Sequence, residues 1–321
     1  MNIHPTLQAL RSDDTPQRQA QAALFAARDA WRAGNAMAQV EADLAAFATA
    51  RPLAECPALN ALFDDANPAA RTLADSFCAA MACALDAEPL GHVPLRHFTD
   101  GTVSTLLLAQ AEGVSLTLAA LDGALLARRP APVSVSFPPT TSWEHVLCGS
   151  GEGELLEMRG TLDAGQINFH RKAITLSPGR VVVREGSRQA LVLGRVAGCL
   201  VSLRLTRRHA VPAPTREVEL ASGRVVHQSA GSPRESRQEL MVNLLGRMGR
   251  ADAAPVLAEM AQETGAAGLR WQALRECLTL DTLAGFRALG AVAQSGADPL
   301  APAAGALRAQ LIATHPQLAE I

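Results

Sequence analysis

Apolar residues along the chain change their spacing twice, from every third or fourth position to every second and back again. In the first stretch, Leu73, Phe77, Met81 and Leu85 recur every four residues and make one apolar helical stripe. Such a stripe must face something, and the segment that follows is the nearest candidate. Thr15 is placed to cap an earlier helix, with Pro16 at its first position, where a missing N–H costs nothing; Asn67-Pro68 repeats the start signal. From about residue 92 to 228 short β-type runs take over, among them "TVSTLLLAQ", "VSLTLAAL", "EHVLCG", "ELLEMRG", "RVVVRE", "ALVLGRV" and "CLVSLRLT". In the last of these Cys199, Val201, Leu203 and Leu205 alternate with Leu200, Ser202, Arg204 and Thr206, the pattern of a strand with one face buried and one largely wet. The connectors ("TDG", "GSGEG", "SPG", "VPAPT") are rich in turn residues, and strands so spaced, without helices between them, predict an antiparallel sandwich or barrel. Helical spacing then returns. Ser236 and Glu239 form a capping box ahead of "LMVNLLGRMGR", and further helix-length segments follow at short intervals, as in a bundle or solenoid. The expected organisation is α+β in three parts: an N-terminal helical region over 1–90, a β-barrel over 91–230 and a helical domain over 231–321.

Composition narrows the function classes. A net charge of −2 gives no overall pull toward nucleic acid or an anionic membrane, and at 3% aromatic residues there is little for bases to stack on. The six cysteines show no CxxC pair and no regular spacing, so they read as small buried hydrophobes in a reducing cytoplasm. The opening residues "MNIHPTLQALRSDD" lack a basic flank followed by an apolar core, so no signal peptide is expected, and no apolar run suggests a membrane span. A single lysine, Lys172, among 29 basic residues, with Ala, Arg, Gly and Pro abundant, points to a GC-rich, bacterial genome.

Two motifs in the β segment carry a family resemblance. "EHVLCGSGEGEL" has a glutamate, Glu144, ahead of a strand and a glycine turn of Gly149, Gly151 and Gly153. "LSPGRVVVREGSRQALVL" has Pro178-Gly179, an apolar strand and the turn glycine Gly186. Together they resemble the cupins, jelly-roll barrels that commonly hold a divalent metal. The resemblance implies histidines near positions 138 and 140 and three residues after Gly186. Here those places hold Pro138, Thr140 and Gln189, and Arg180 stands where an aspartate is usual. One surviving carboxylate does not hold a metal, so no metal or other cofactor is expected. A rebuilt site, were there one, would draw on Glu144, His145 and His170. The last helices resemble HEAT repeats through Arg270 with Ala273 and Leu274, and through Asp298-Pro299 with Ala303, Ala306 and Leu307. That resemblance implies a surface that docks proteins.

Charge inside the β segment is uneven. Ten basic residues between Arg159 and Arg208 face only Asp163 and Glu185, while Glu144, Glu152, Glu154 and Glu157 lie just upstream. Alternation is expected to bring several arginines to one outward face, where guanidinium forks suit carboxylates and phosphates. The competing expectation is cross-strand pairing of basic with acidic strands. No GxSxG, P-loop, GxGxxG or HExxH occurs. Three functions follow. The leading one is a non-catalytic binding or scaffold protein with a metal-free barrel and a protein partner on the C-terminal helices. The second is a cupin-type oxygenase or isomerase with a rearranged histidine site. The third is a sensor of a small anionic ligand, with Arg184, Arg204, Gln189 and Trp143 as the ligand-binding residues.

Overall fold

The computed structural model describes residues 13–65, 67–159, 167–211 and 213–320. The first twelve residues, where no signal peptide is read, and Asp163 of the charge comparison lie outside them. The chain is α+β and divides into two compact units, one made of residues 1–210 with 217–225 and the other of 211–216 with 226–321.

In the first unit, helices α1 (Thr15–Ala33), α2 (Asn35–Ala48), α3 (Pro57–Ala61) and α4 (Ala69–Ala87) precede the sheet. The cap of α1 lies one residue earlier than Thr15, at Asp14, while the Asp13 carboxylate accepts from the Thr15 N–H at 2.9 Å. The α4 stripe buries Leu73, Phe77 and Met81, with Leu85 half-buried. These side chains share one core with Met37, Val40, Leu44 and Phe47 of α2 and with Leu108, Leu116, Leu203 and Leu205 of the sheet. The helical and β segments of this unit therefore pack as one body, face on face.

The strands are β1 (His97–Thr99), β2 (Val103–Ala111), β3 (Val114–Asp122), β4 (Ser134–Phe137), β5 (Thr140–Arg159), β6 (Asn168–Leu176), β7 (Val181–Glu185), β8 (Gln189–Arg208), β9 (Arg216–Glu219) and β10 (Val225–Gln228), with a one-turn helix α5 (Gly123–Leu126) after β3. The main sheet runs β1-β2-β3-β8-β5-β6, with β7 also paired to β5, and the pairs registered within it are antiparallel. β9 pairs with β4 in a small second sheet.

Two sequence expectations change here. "EHVLCG" and the described part of "ELLEMRG", through Arg159, belong to one twenty-residue strand, β5, and "ALVLGRV" and "CLVSLRLT" to another, β8. "GSGEG" is not a hairpin turn. Its glycines serve a bend: Gly149 has a φ of 81°, and the β5–β8 register shifts between Cys148 and Ser150. A Cβ on Gly149 would stand 2.1 Å from the Cys199 carbonyl oxygen. Gly149→Ala should thus lose more than about 2 kcal/mol, from the left-handed backbone and the clash together; urea denaturation reads this directly.

The second unit contains α6 (Pro233–Arg247), α7 (Ala254–Gln262), α8 (Ala267–Leu280), α9 (Thr282–Gln294) and α10 (Ala301–Thr314). The capping box lies four residues before the expected one. Ser232 accepts from the Glu235 N–H at 3.2 Å, and the Glu235 carboxylate accepts from the Gly231 N–H at 2.9 Å. Ser236 and Glu239 both lie inside the helix. Arg270 and Asp298, noted separately in the sequence, form a buried ion pair, and the Arg270 Nε–H also donates to the Ala261 carbonyl at 3.0 Å. Among the described residues no helix is long and apolar enough to cross a membrane.

Candidate functional site

Strand parity decides what reaches the interior of the first unit. Successive residues of β5 point to opposite sides of the sheet. Trp143, His145 and Leu147 face α2–α4, and Ser142, Glu144 and Val146 face the other way. On β8, Leu203 and Leu205 join the helices, while Leu200, Ser202 and Arg204 face the same side as Glu144. That second side bounds a cavity of about 900 Å³, whose walls come from β2, β3, β5, β7, both halves of β8, β4 and the segment 126–132. Its size suits a small organic molecule.

Glu144 is the centre of the polar end. The register sets it opposite Arg204 on β8, and Arg184 on β7 stands beside it, opposite Ser142. Arg204 donates through Nη2 to Glu144 Oε1 at 2.9 Å, Arg184 through Nη2 to Oε2 at 3.0 Å, and the Ser202 hydroxyl to Oε1 at 2.8 Å. Burial alone would raise the Glu144 pKa, but Arg204 and Arg184, with the Ser202 hydrogen bond, outweigh it and hold the carboxyl below its ordinary 4.5. Burial pushes the Arg184 guanidinium down from its ordinary value, against the pull of Glu144.

The donor count is not closed. A guanidinium carries five N–H donors, and Glu144 takes one from each arginine. Among the described residues, the Nε–H of Arg184 and that of Arg204 are buried without a protein partner. Two positive charges against one carboxylate leave a net charge of about +1 at this end. Arg129, also on the wall, is paired with Asp100 at 3.0 Å. Chemically, the arrangement can accept a further anionic oxygen.

The other residues singled out in the sequence go elsewhere. Trp143 packs edge-on against Phe47, ring centroids 5.6 Å apart, on the helical side. Gln189 uses its side-chain oxygen to accept from the Glu185 N–H at 3.1 Å, at the start of β8. His145 is buried on the helical side with Nδ1 2.7 Å from the Leu62 carbonyl oxygen; a carbonyl only accepts, so Nδ1 carries the proton. His170 is exposed on β6, opposite Glu157. Glu144, His145 and His170 thus do not converge, and among the described residues no cluster of three His, Cys, Asp or Glu could hold a metal. The Glu144 oxygens, held by two guanidinium groups and a hydroxyl, do not fit a metal ligand either.

The expected outward arginine face is also modified. Arg184 and Arg204 point inward, and Arg207 lies over the Phe47 ring at 4.3 Å. Arg171 pairs across the sheet with Glu154 at 2.9 Å. Sequence reasoning missed Ser202, Ser134 and the leucine walls of the cavity, Leu121, Leu126, Leu191, Leu193 and Leu200. Alternation between Leu203 and Leu205 sets Arg204 on the face opposite those leucines, but its pairing with Glu144 depends on the β5–β8 register.

No protein-family model matches the sequence, and no characterised protein matches it by sequence. Among solved structures, a cupin superfamily protein from Desulfitobacterium hafniense shares 18% identity over 35% of this chain and 83% of its own, with a TM-score of 0.23. The vicilin of Solanum melongena shares 10% over 44% of this chain and 41% of its own, at 0.28. Pumpkin seed globulin shares 16% over 40% and 36%, at 0.27. Similarity of this degree assigns the chain no ligand and no reaction.

Proposed function

We propose that the first unit is a cupin-like barrel that binds a small anionic molecule without a metal, and that the protein acts by binding rather than catalysis. The observation that carries this reading is the two guanidinium groups of Arg184 and Arg204, set against the single Glu144 carboxylate, on the cavity wall. An anion at this polar end would offset the uncompensated positive charge through charge-assisted hydrogen bonds. The test is a thermal-shift panel of carboxylates and phosphate on the full chain in the presence of a chelator. Carboxylates should raise the melting temperature, and Arg204→Met and Arg184→Met should each weaken the effect. A shift that needs added metal, or that is unchanged in both variants, would contradict the reading.

The helical unit adds a docking surface to this proposal. Along α6 and its C-cap, Leu240, Leu244 and Met248 recur every fourth residue and are exposed, with Met241 beside them. Arg234, Arg237 and Arg247 are exposed on the same side by helical spacing. An apolar stripe set among arginines fits an acidic amphipathic helix of a partner protein. Leu244→Asp should abolish binding of a labelled acidic amphipathic peptide measured by fluorescence polarisation; undiminished binding excludes this surface.

A further inference from the structure

Three strands that meet at the polar end of the barrel cavity change character along their length, and all three change in the same direction. On β8 the inward row runs Arg204, Ser202, Leu200. Antiparallel register sets Ala119 of β3 beside Ser202 and Leu121 beside Leu200. On β5 the row runs from Glu144 to Val146, and on β7 from Arg184 to Val182. Three neighbouring strands, β5, β7 and β8, therefore pass from charge to hydrocarbon together, and β3 beside them is apolar at both Ala119 and Leu121. Leu126, Leu191 and Leu193 line the cavity as well, and the half-buried leucines among these pack against the buried core formed by Val146, Val182 and Leu200. From Arg204 to Leu200 is four residues of strand, about 13 Å.

A ligand that matched only the arginines would leave this apolar length filled with water or empty, and neither uses the leucines. The charge at the polar end also selects. Glu144 already offsets one of the two arginines, so a single negative charge completes the balance, whereas a dianionic phosphate would overshoot it. We propose that the ligand is an amphipathic monocarboxylate, its acid group at Arg184 and Arg204 and its apolar body laid along Ala119, Leu121, Leu193 and Leu200. This deepens the anion-binding reading and rests on it.

The experiment is isothermal titration calorimetry of the full chain, in chelator, with acetate, butanoate, hexanoate and octanoate, and with succinate and inorganic phosphate as the dianionic probes. Each added methylene should tighten binding about fourfold until the cavity is full, at one ligand per chain, with succinate and phosphate weaker than hexanoate. Leu193→Asn should flatten the chain-length dependence and leave acetate unaffected, and Arg204→Met should weaken every member of the series. Equal affinity from acetate to octanoate, or preference for phosphate, would overturn the amphipathic ligand while leaving an anion site in place. Chain-length dependence that survives both substitutions would place the binding elsewhere and overturn it too. No heat from any carboxylate or from phosphate would overturn the anion reading itself.

Discussion

Replacing Glu144 with alanine is expected to destabilise the first unit by about 3–5 kcal/mol, the range for removing one partner of a buried ion pair. The reason is local. Glu144 is 4% exposed and is the acceptor for Arg184, Arg204 and Ser202, so its loss leaves two guanidinium groups at the polar end with no counter-charge. For a unit of this size the melting temperature should fall on the order of 10 °C. Formate or acetate in the buffer should restore part of that loss, since a free carboxylate can occupy the space that the side chain vacated. The linkage also has a pH signature. The folded pKa of Glu144 lies below its ordinary 4.5, so its contribution to stability is present above that value and is lost as pH falls through the folded pKa. Glu144→Ala should accordingly lose stability less steeply than the natural chain in that acid range. A variant as stable as the natural chain at neutral pH, with no response to formate, would show that the trio of charges is not coupled.

A second large effect belongs to the opposite side of the same strand. Phe47 is fully buried in the core that joins α2 to the sheet, edge-on to Trp143 and beneath Arg207. Phe47→Ala should cost about 3–5 kcal/mol through lost burial and the void left behind, and the near-ultraviolet circular dichroism of Trp143 should weaken with it. The cavity lies on the other face, so the carboxylate-induced thermal shift should persist in this variant. The two substitutions therefore separate folding from binding: Glu144→Ala changes the response to anions, and Phe47→Ala does not. If Phe47→Ala abolished the shift, the two faces of the sheet would not be independent.

Much of the fold was legible in the spacing of apolar residues, because period two and period 3.6 are local properties. "CLVSLRLT" correctly split Leu203 and Leu205 from Ser202 and Arg204. What alternation could not tell was the nature of the second face, which is the polar end of a cavity instead of open solvent; that depends on strands far away in sequence. "GSGEG" was misread for a related reason. Glycine marks turns, but it also marks places where backbones approach closely, and Gly153, whose Cβ would stand 2.3 Å from the Val192 carbonyl oxygen, belongs to the second class. Arg184 and Arg204 could be named from the sequence as anion-binding candidates, yet Trp143 and Gln189 beside them could not be placed. Parity offered one warning: Glu144 and His145 are adjacent in a strand, so they cannot converge on one metal. The leucines that line the apolar end look like any other core positions until the cavity beside them is seen.

NMR of the arginine side chains reads anion binding at the cavity directly, following the Nε–H resonances of Arg184 and Arg204 while octanoate is added in the presence of a chelator. The two resonances are assigned by their absence in Arg184→Lys and Arg204→Lys. Both should shift as a carboxylate binds the two guanidinium groups, while the Nε–H of the exposed Arg234 and Arg237 stay in place. Resonances of Arg184 and Arg204 that do not move at saturating carboxylate would contradict the anion reading, and the cavity would have to be assigned a different ligand.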